Sequence, residues 1–201
     1  GRIDLDAAQR ILTPRHKLVA FAHVSNVLGS ILDVKRAAEL VRRIPPFVDV
    51  VGLFVNADPA TVLATCASVP LNLLQFHGDE DAAYCRQFSR PYLRAARVRP
   101  GLDLVEFAGS FPEARGLLLD AFVEGYGGGG HVFDWTLIPP ALPGHLILSG
   151  GLHADNVAAA IERVRPDAVD VSSGVESGKG IKDHAKIAAF VAAVRKADDR
   201  L

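Results

Sequence analysis

Short β-branched and aliphatic runs recur along the chain, separated by stretches with helical spacing. The runs cover residues 48–55, 71–76, 92–98, 116–121, 145–149 and 167–171, at intervals that suit strand–loop–helix–loop units. Some segments, VDVVGLFV and LVAFAHV among them, run on without strict polar alternation. Such strands bury both faces, which favours a parallel sheet. Residues 156–164 and 184–196 carry apolar positions at helical intervals, and in the second Ile187, Phe190, Val191 and Val194 form one stripe. Upstream, residues 6–12 read as a helix ending at Thr13-Pro14, 17–23 as a strand, and 34–44 as a helix stopped by Pro45-Pro46. That makes seven strands, or eight if residues 2–5 supply one. Eight parallel strands alternating with helices close into a (βα)8 TIM barrel, a fold that reaches down to about 200 residues. An open doubly wound α/β sheet is the rival.

Composition narrows the class. The chain has 201 residues, 49% of them hydrophobic, with 22 Lys and Arg against 23 Asp and Glu. That is enough for a substantial core, and a single domain over residues 1–201 is expected. No long uncharged apolar run is present to span a membrane, and the charge balance argues against a nucleic-acid tract. Two cysteines, Cys66 and Cys85, make no disulfide framework, and no secretion signal opens the chain; a cytoplasmic protein is expected. Both cysteines fall in helical stretches and read as small core residues.

In a barrel, function collects just after the carboxyl ends of the strands, and the unusual residues sit there. His77-Gly78-Asp79-Glu80 follows residues 71–76. Asp120 ends an apolar run and leads into the glycine loop 125–130. Gly150-Gly151 follows residues 145–149, and Ser172-Ser173-Gly174 follows 167–171. Glycine lets backbone approach an anion, and amides opening a helix donate to it. Loops after the last two strands are where a barrel commonly builds a phosphate site; the alternative is that these glycines only make tight turns. Asp120 reads either as a general acid facing a cleft or as a carboxylate tying down a loop amide. His77 alone reads equally as a polar loop cap. Asp134 and Trp135 read as the start and anchor of a helix. Arg94, Arg97 and Arg99, on one strand, supply either a charged interior layer or an anion contact.

The motifs LLQFHGDE, LLLDAF, GYGGGGHVFDW, LILSGGLHADNVAAAI and DAVDVSSGVESGKGIKDHAKIAAF, with VGLFVN before them, together resemble phosphoribosylanthranilate isomerases from about residue 34 onward. That resemblance implies a (βα)8 barrel and an Amadori rearrangement of N-(5-phosphoribosyl)anthranilate in tryptophan biosynthesis, with no cofactor and no metal. It implies Asp120 as general acid, and a phosphate site at Gly150, Gly151, Ser172, Ser173 and Gly174. It also implies His77 near the anthranilate end, and a substrate loop including Gly128 and Gly130, with Gly129 where the family usually has Thr.

The first 34 residues depart from that pattern. The family opens on a strand whose Cys is the general base, and an Arg after its second strand holds substrate; neither motif occurs here. Instead TPR-K-LVA and HVSNVLG resemble a segment of cysteine desulfurases, pyridoxal-phosphate enzymes, although the lysine motif that would bind that cofactor is missing. The expectation is therefore a hybrid: residues 1–34 rebuild strands one and two of an isomerase-like barrel spanning 35–201. Activity is expected to be weak or lost, with His23 as the candidate replacement base. The alternative is a non-catalytic hybrid scaffold retaining a phosphate site. The expected partner is a small phosphorylated substrate or inorganic phosphate, with no nucleic acid or membrane, and the chain is expected as monomer or homodimer.

Overall fold

The computed structural model describes residues 18–22, 24–25, 30–31, 34–122 and 133–200, with side chains described from residue 37 onward. The expected strand at 2–5, the helix at 6–12, His23 and the glycine loop with Gly128 and Gly130 lie outside the described residues. The chain divides into two compact units, Gly1–Arg94 and Ala95–Leu201.

In the first unit, β1 (Leu18–Ala22) is followed by a small antiparallel pair, β2 (Val24–Ser25) and β3 (Ser30–Ile31). Then come α1 (Val34–Val41), β4 (Asp49–Phe54), α2 (Pro59–Ser68), β5 (Leu73–Phe76), α3 (Ala82–Arg86) and the start of β6 (Tyr92–Val98). β1 pairs with β4, β4 with β5 and β5 with β6, all parallel. Parallel neighbours require crossovers, and the helices supply them. Val50, Val51 and Phe54 of β4 and almost all of β6 are buried, as the unbroken apolar runs predict. Phe54, Phe76, Tyr84, Phe88 and Tyr92 form an aromatic cluster around Phe76, with ring centroids 5.6–6.3 Å from its own.

The second unit continues with α4 (Leu104–Gly109), β7 (Gly116–Ala121), β8 (His145–Leu148), α5 (Val157–Val164) and β9 (Ala168–Val169). A hairpin, β10 (Glu176–Gly178) with β11 (Ile181–Lys182), precedes α6 (His184–Asp198). β7 pairs parallel with β8, and β8 with β9. Leu117, Leu119, Leu148, Leu152, Val157, Ile161 and Phe190 are buried in one core, with Trp135 packed against it. The stripe on α6 is turned slightly from the expected one. Ile187, Phe190, Val194 and Ala197 face the core, whereas Val191 is 41% exposed.

Aspartate sets most helix starts. Asp58, Asp81, Asp103 and Asp183 cap α2, α3, α4 and α6 by accepting first-turn amides, and Asp134 does so for the short 3-10 turn Trp135–Leu137. Such a cap is worth about 1 kcal/mol. The helix expected over 34–44 ends at Val41, because the approach of Pro45 disfavours helical backbone. Arg43 and Ile44 instead donate to Leu40 and Val41 in a tightened turn.

Asp167, beside β9, accepts from the Leu146 amide at 2.8 Å and faces His145 Nδ1 at 3.1 Å. These contacts, the amide first, hold its carboxyl below the usual carboxylate range. A folded-state value below the unfolded one stabilises above about pH 4 and is lost as pH falls through the folded value. The stability gap between the wild type and Asp167→Asn is therefore expected to be present at neutral pH and to close on acidification. Thermal unfolding across the acid limb measures it, and a gap independent of pH would refute it.

Candidate active site

In the second unit, four chain segments converge through named contacts. Asp120, half-buried near the end of β7, accepts from the Ala121 amide at 2.9 Å. Gly150 follows at φ +81° and Gly151 at +65°. A Cβ on Gly150 would come within 2.5 Å of the Ala121 nitrogen and 2.9 Å of Asp120 Oδ1. Glycine is needed there twice over, for its left-handed backbone and for its close approach to the acid.

Ser149, buried behind these glycines, donates from Oγ to Asp170 Oδ2 at 2.8 Å, and its amide donates to Leu119. Asp170 donates its own amide to Leu148. The ends of β7, β8 and the segment after β9 are thereby fixed to one another.

Ser172 leads into the 3-10 turn Ser173–Val175. A Cβ on Gly174 would overlap the Leu152 carbonyl oxygen, so the two glycine loops are seated backbone against backbone. Gly174→Ala is expected to cost about 1–3 kcal/mol by overpacking. It is also expected to abolish any rise in melting temperature that inorganic phosphate gives the wild type; a retained rise would contradict the assignment of this loop.

Residues outside the glycine motifs hold the loops, and sequence reasoning missed them. Asn156 precedes α5 without capping it; its Oδ1 accepts from the His153 amide at 2.8 Å and its Nδ2 donates to the Gly151 carbonyl at 3.0 Å. Lys182 donates from Nζ to the Ser172 carbonyl and to Glu176 Oε1, both at 2.8 Å, and to Ser172 Oγ at 3.3 Å. Glu176 also takes the Gly180 amide. Burial pushes the Glu176 carboxyl up, but Lys182 and the Gly180 amide outweigh it and leave it low. The signal was present in the sequence as ESGKGIK, a glycine turn flanked by opposite charges.

In the first unit, His77 follows β5. Its amide donates to Phe54, and its Nδ1 lies 3.1 Å from Gln75 Nε2. Arg94 is 4% exposed and Glu80 6%. Arg94 is thus part of a charged interior layer. The cysteines behave as core: Cys85 is fully buried in α3, Cys66 half-buried in α2. Burial pushes the Cys85 thiol up to about 12 and the Cys66 thiol up as well, so neither is a ready thiolate. Arg99, beyond β6, sets its guanidinium 4.8 Å from the centroid of the Phe122 ring. No described helix is long and apolar enough to cross a membrane.

Parallel βα units with polar residues gathered after their strands define an α/β fold. Solved structures place it in the (βα)8 barrel class of enzymes, rather than among open doubly wound sheets. Phosphoribosyl anthranilate isomerase from Thermotoga maritima superposes with a TM-score of 0.84 at 35% identity, covering 97% of this chain and 96% of its own. A phosphoribosyl anthranilate isomerase in complex with reduced 1-(o-carboxyphenylamino)-1-deoxyribulose 5-phosphate gives 0.81 at 34% identity, over 97% and 95%. The N-(5'-phosphoribosyl)anthranilate isomerase of Dechloromonas aromatica is 80% identical over 167 residues, 83% of this chain and 80% of that protein. The family model for N-(5'phosphoribosyl)anthranilate (PRA) isomerase matches residues 12–193. The chain belongs to that family. The match begins inside the segment likened to cysteine desulfurases, so the family pattern reaches into residues 1–34 and supports membership without supporting a hybrid.

Proposed function

We propose that this chain isomerises N-(5-phosphoribosyl)anthranilate to the 1-deoxyribulose phosphate in tryptophan biosynthesis, in the cytoplasm, and does so slowly. Asp120 gives a proton to the ribose ring oxygen, the C1–O bond breaks, and the nitrogen lone pair forms the Schiff base. A base then removes the C2 proton; the resulting enamine becomes the ketone, so atoms and electrons balance within one molecule. Gly150, Gly151, Ser172, Ser173 and Gly174 are assigned to the phosphate, and His77 to the anthranilate end, both by the resemblance of their motifs to the family's.

The carrying observation is the seating of Gly150 on Asp120, which puts an acid beside a left-handed glycine loop. Slowness follows from the base. Residues 1–34 contain no Cys, and the two cysteines of the chain lie in helices with raised thiol values. Loss of general-base assistance costs about two to four orders of magnitude. His23 is the proposed substitute.

The test is turnover at high enzyme concentration, read as loss of the substrate's anthranilate fluorescence. Slow turnover that falls further in His23→Ala is expected. No turnover from folded protein would overturn the isomerase reading, and an unchanged His23→Ala would overturn the base.

A further inference from the structure

Three buried polar side chains of the first unit have no part in the chemistry above, and all of them bear on His77. Gln75, Glu80 and Arg94 are 5%, 6% and 4% exposed. Arg94 donates from Nη1 to the Phe76 carbonyl and from Nη2 to the Gly78 carbonyl, both at 2.9 Å. Those carbonyls belong to the residues immediately before and after His77. Glu80 takes the Gly78 amide at 2.8 Å and the Asn56 amide at 2.6 Å, with Arg94 Nη1 3.8 Å from its Oε2. The backbone before and after His77 is therefore held by a guanidinium on the Phe76 and Gly78 carbonyls and by a carboxylate on the Gly78 amide.

Gln75 acts on the ring itself. Its Nε2 stands 3.1 Å from His77 Nδ1. An amide nitrogen can only donate, so Nδ1 must accept, and the proton of the uncharged imidazole must sit on Nε2. We propose that Gln75 is a positioning residue that fixes His77 in the Nε2–H form, within a loop held by Arg94 and Glu80, so that His77 offers the substrate a hydrogen-bond donor. The substrate half of this rests on the isomerase reading; the tautomer half does not.

A substrate with a carboxylate or carbonyl oxygen at that end suits a preset N–H. A ring free to choose its tautomer would lose part of its binding to the wrong form. One hydrogen bond between uncharged donor and acceptor is involved, so releasing the ring is expected to raise KM by roughly two- to tenfold, with kcat changed less.

The experiment is a long-range proton–nitrogen spectrum of the full chain labelled with 15N, at alkaline pH where imidazoles are uncharged. The chain has seven histidines, and His77→Asn identifies the signal by its loss. The wild type is expected to show Nε2–H alone. Gln75→Met, close in size, should give a mixture. Gln75→Glu offers only acceptors to Nδ1, and should move the proton there. Wild-type Nδ1–H or a mixture would overturn the proposal, as would a spectrum indifferent to both substitutions. If Gln75→Met does not fold, the wild type and Gln75→Glu still decide it. No substrate enters this measurement, so absent turnover refutes the isomerase reading while the tautomer stands or falls on the spectrum. With turnover present, an unchanged KM in Gln75→Met would overturn the substrate half.

Discussion

Asp120→Asn is expected to lose turnover by about two to four orders of magnitude while binding the reduced product analogue within a few-fold of wild type. The first figure is what a positioned proton donor typically supplies. The second follows from local geometry. Asp120 Oδ1 accepts the Ala121 amide at 2.9 Å, and the Oδ1 of an Asn accepts it equally well. Asn has nearly the volume of Asp, so Gly150, whose backbone leaves no room for a Cβ against Oδ1, keeps its place. What disappears is the acidic proton. The same contact serves the blander reading, in which Asp120 only ties down a loop amide, and the substitution separates the two. A tether predicts full activity in the Asn variant, because the tether survives. Equal loss of binding and turnover would mean that the carboxylate charge organises the loop, and would contradict the acid role proposed for it.

Strand identity was legible because it is local. Residues 92–98 and 116–121 read as strands from their own side chains, and the observed bounds of β6 and β7 coincide with them. Strand ends were less so, because partners decide them. Residues 71–76 shortened to Leu73–Phe76, and Asn72, just before the strand, makes two bonds to Val50: its amide donates to the Val50 carbonyl at 2.9 Å and its Oδ1 accepts from the Val50 amide at 2.8 Å. Residues 167–171 shortened to Ala168–Val169, where the carboxylates of Asp167 and Asp170 bind Leu146 and Ser149. The site divides in the same way. Glycines announce loops by their own conformational freedom, so Gly150 and Gly151 could be found from sequence. Asn156 on Gly151 and Arg94 beside Glu80 are pairings across turns or between strands that no local pattern of charge dictates, whereas the opposite charges flanking the turn in ESGKGIK did signal Lys182. The spacing of Arg94, Arg97 and Arg99 left a charged layer and an anion contact open; Glu80 settles Arg94 alone as an interior charge, while Arg97 is half-buried and Arg99 lies exposed beyond β6 beside the Phe122 ring.

Glu80→Ala is expected to destabilise the protein by about 3–5 kcal/mol, the range for removing one partner of a buried ion pair. Burial is what sets the size. Exposed pairs such as Arg200–Glu162, at 3.2 Å with both side chains about half exposed, are worth about 0–1 kcal/mol. In the interior, by contrast, the Arg94 guanidinium has carbonyls to donate to but loses its counter-charge, and the Gly78 and Asn56 amides lose their acceptor. For a chain of this length each kcal/mol moves the melting temperature by roughly 2–4 °C, so a fall of roughly 6–20 °C is expected. Glu80→Gln keeps an acceptor and loses the charge, and should fall between the two. Replacing both partners, as in Glu80→Leu with Arg94→Met, removes the stranded charge and should recover part of the loss. Thermal and denaturant unfolding of the four proteins measures this. A loss below about 1 kcal/mol in Glu80→Ala would show that the pair is worth no more than an exposed one. A double variant worse than either single one would show that the loop needs its backbone contacts more than it needs the charge balance. In either event the placement of His77, between Phe76 and Gly78, depends on the result.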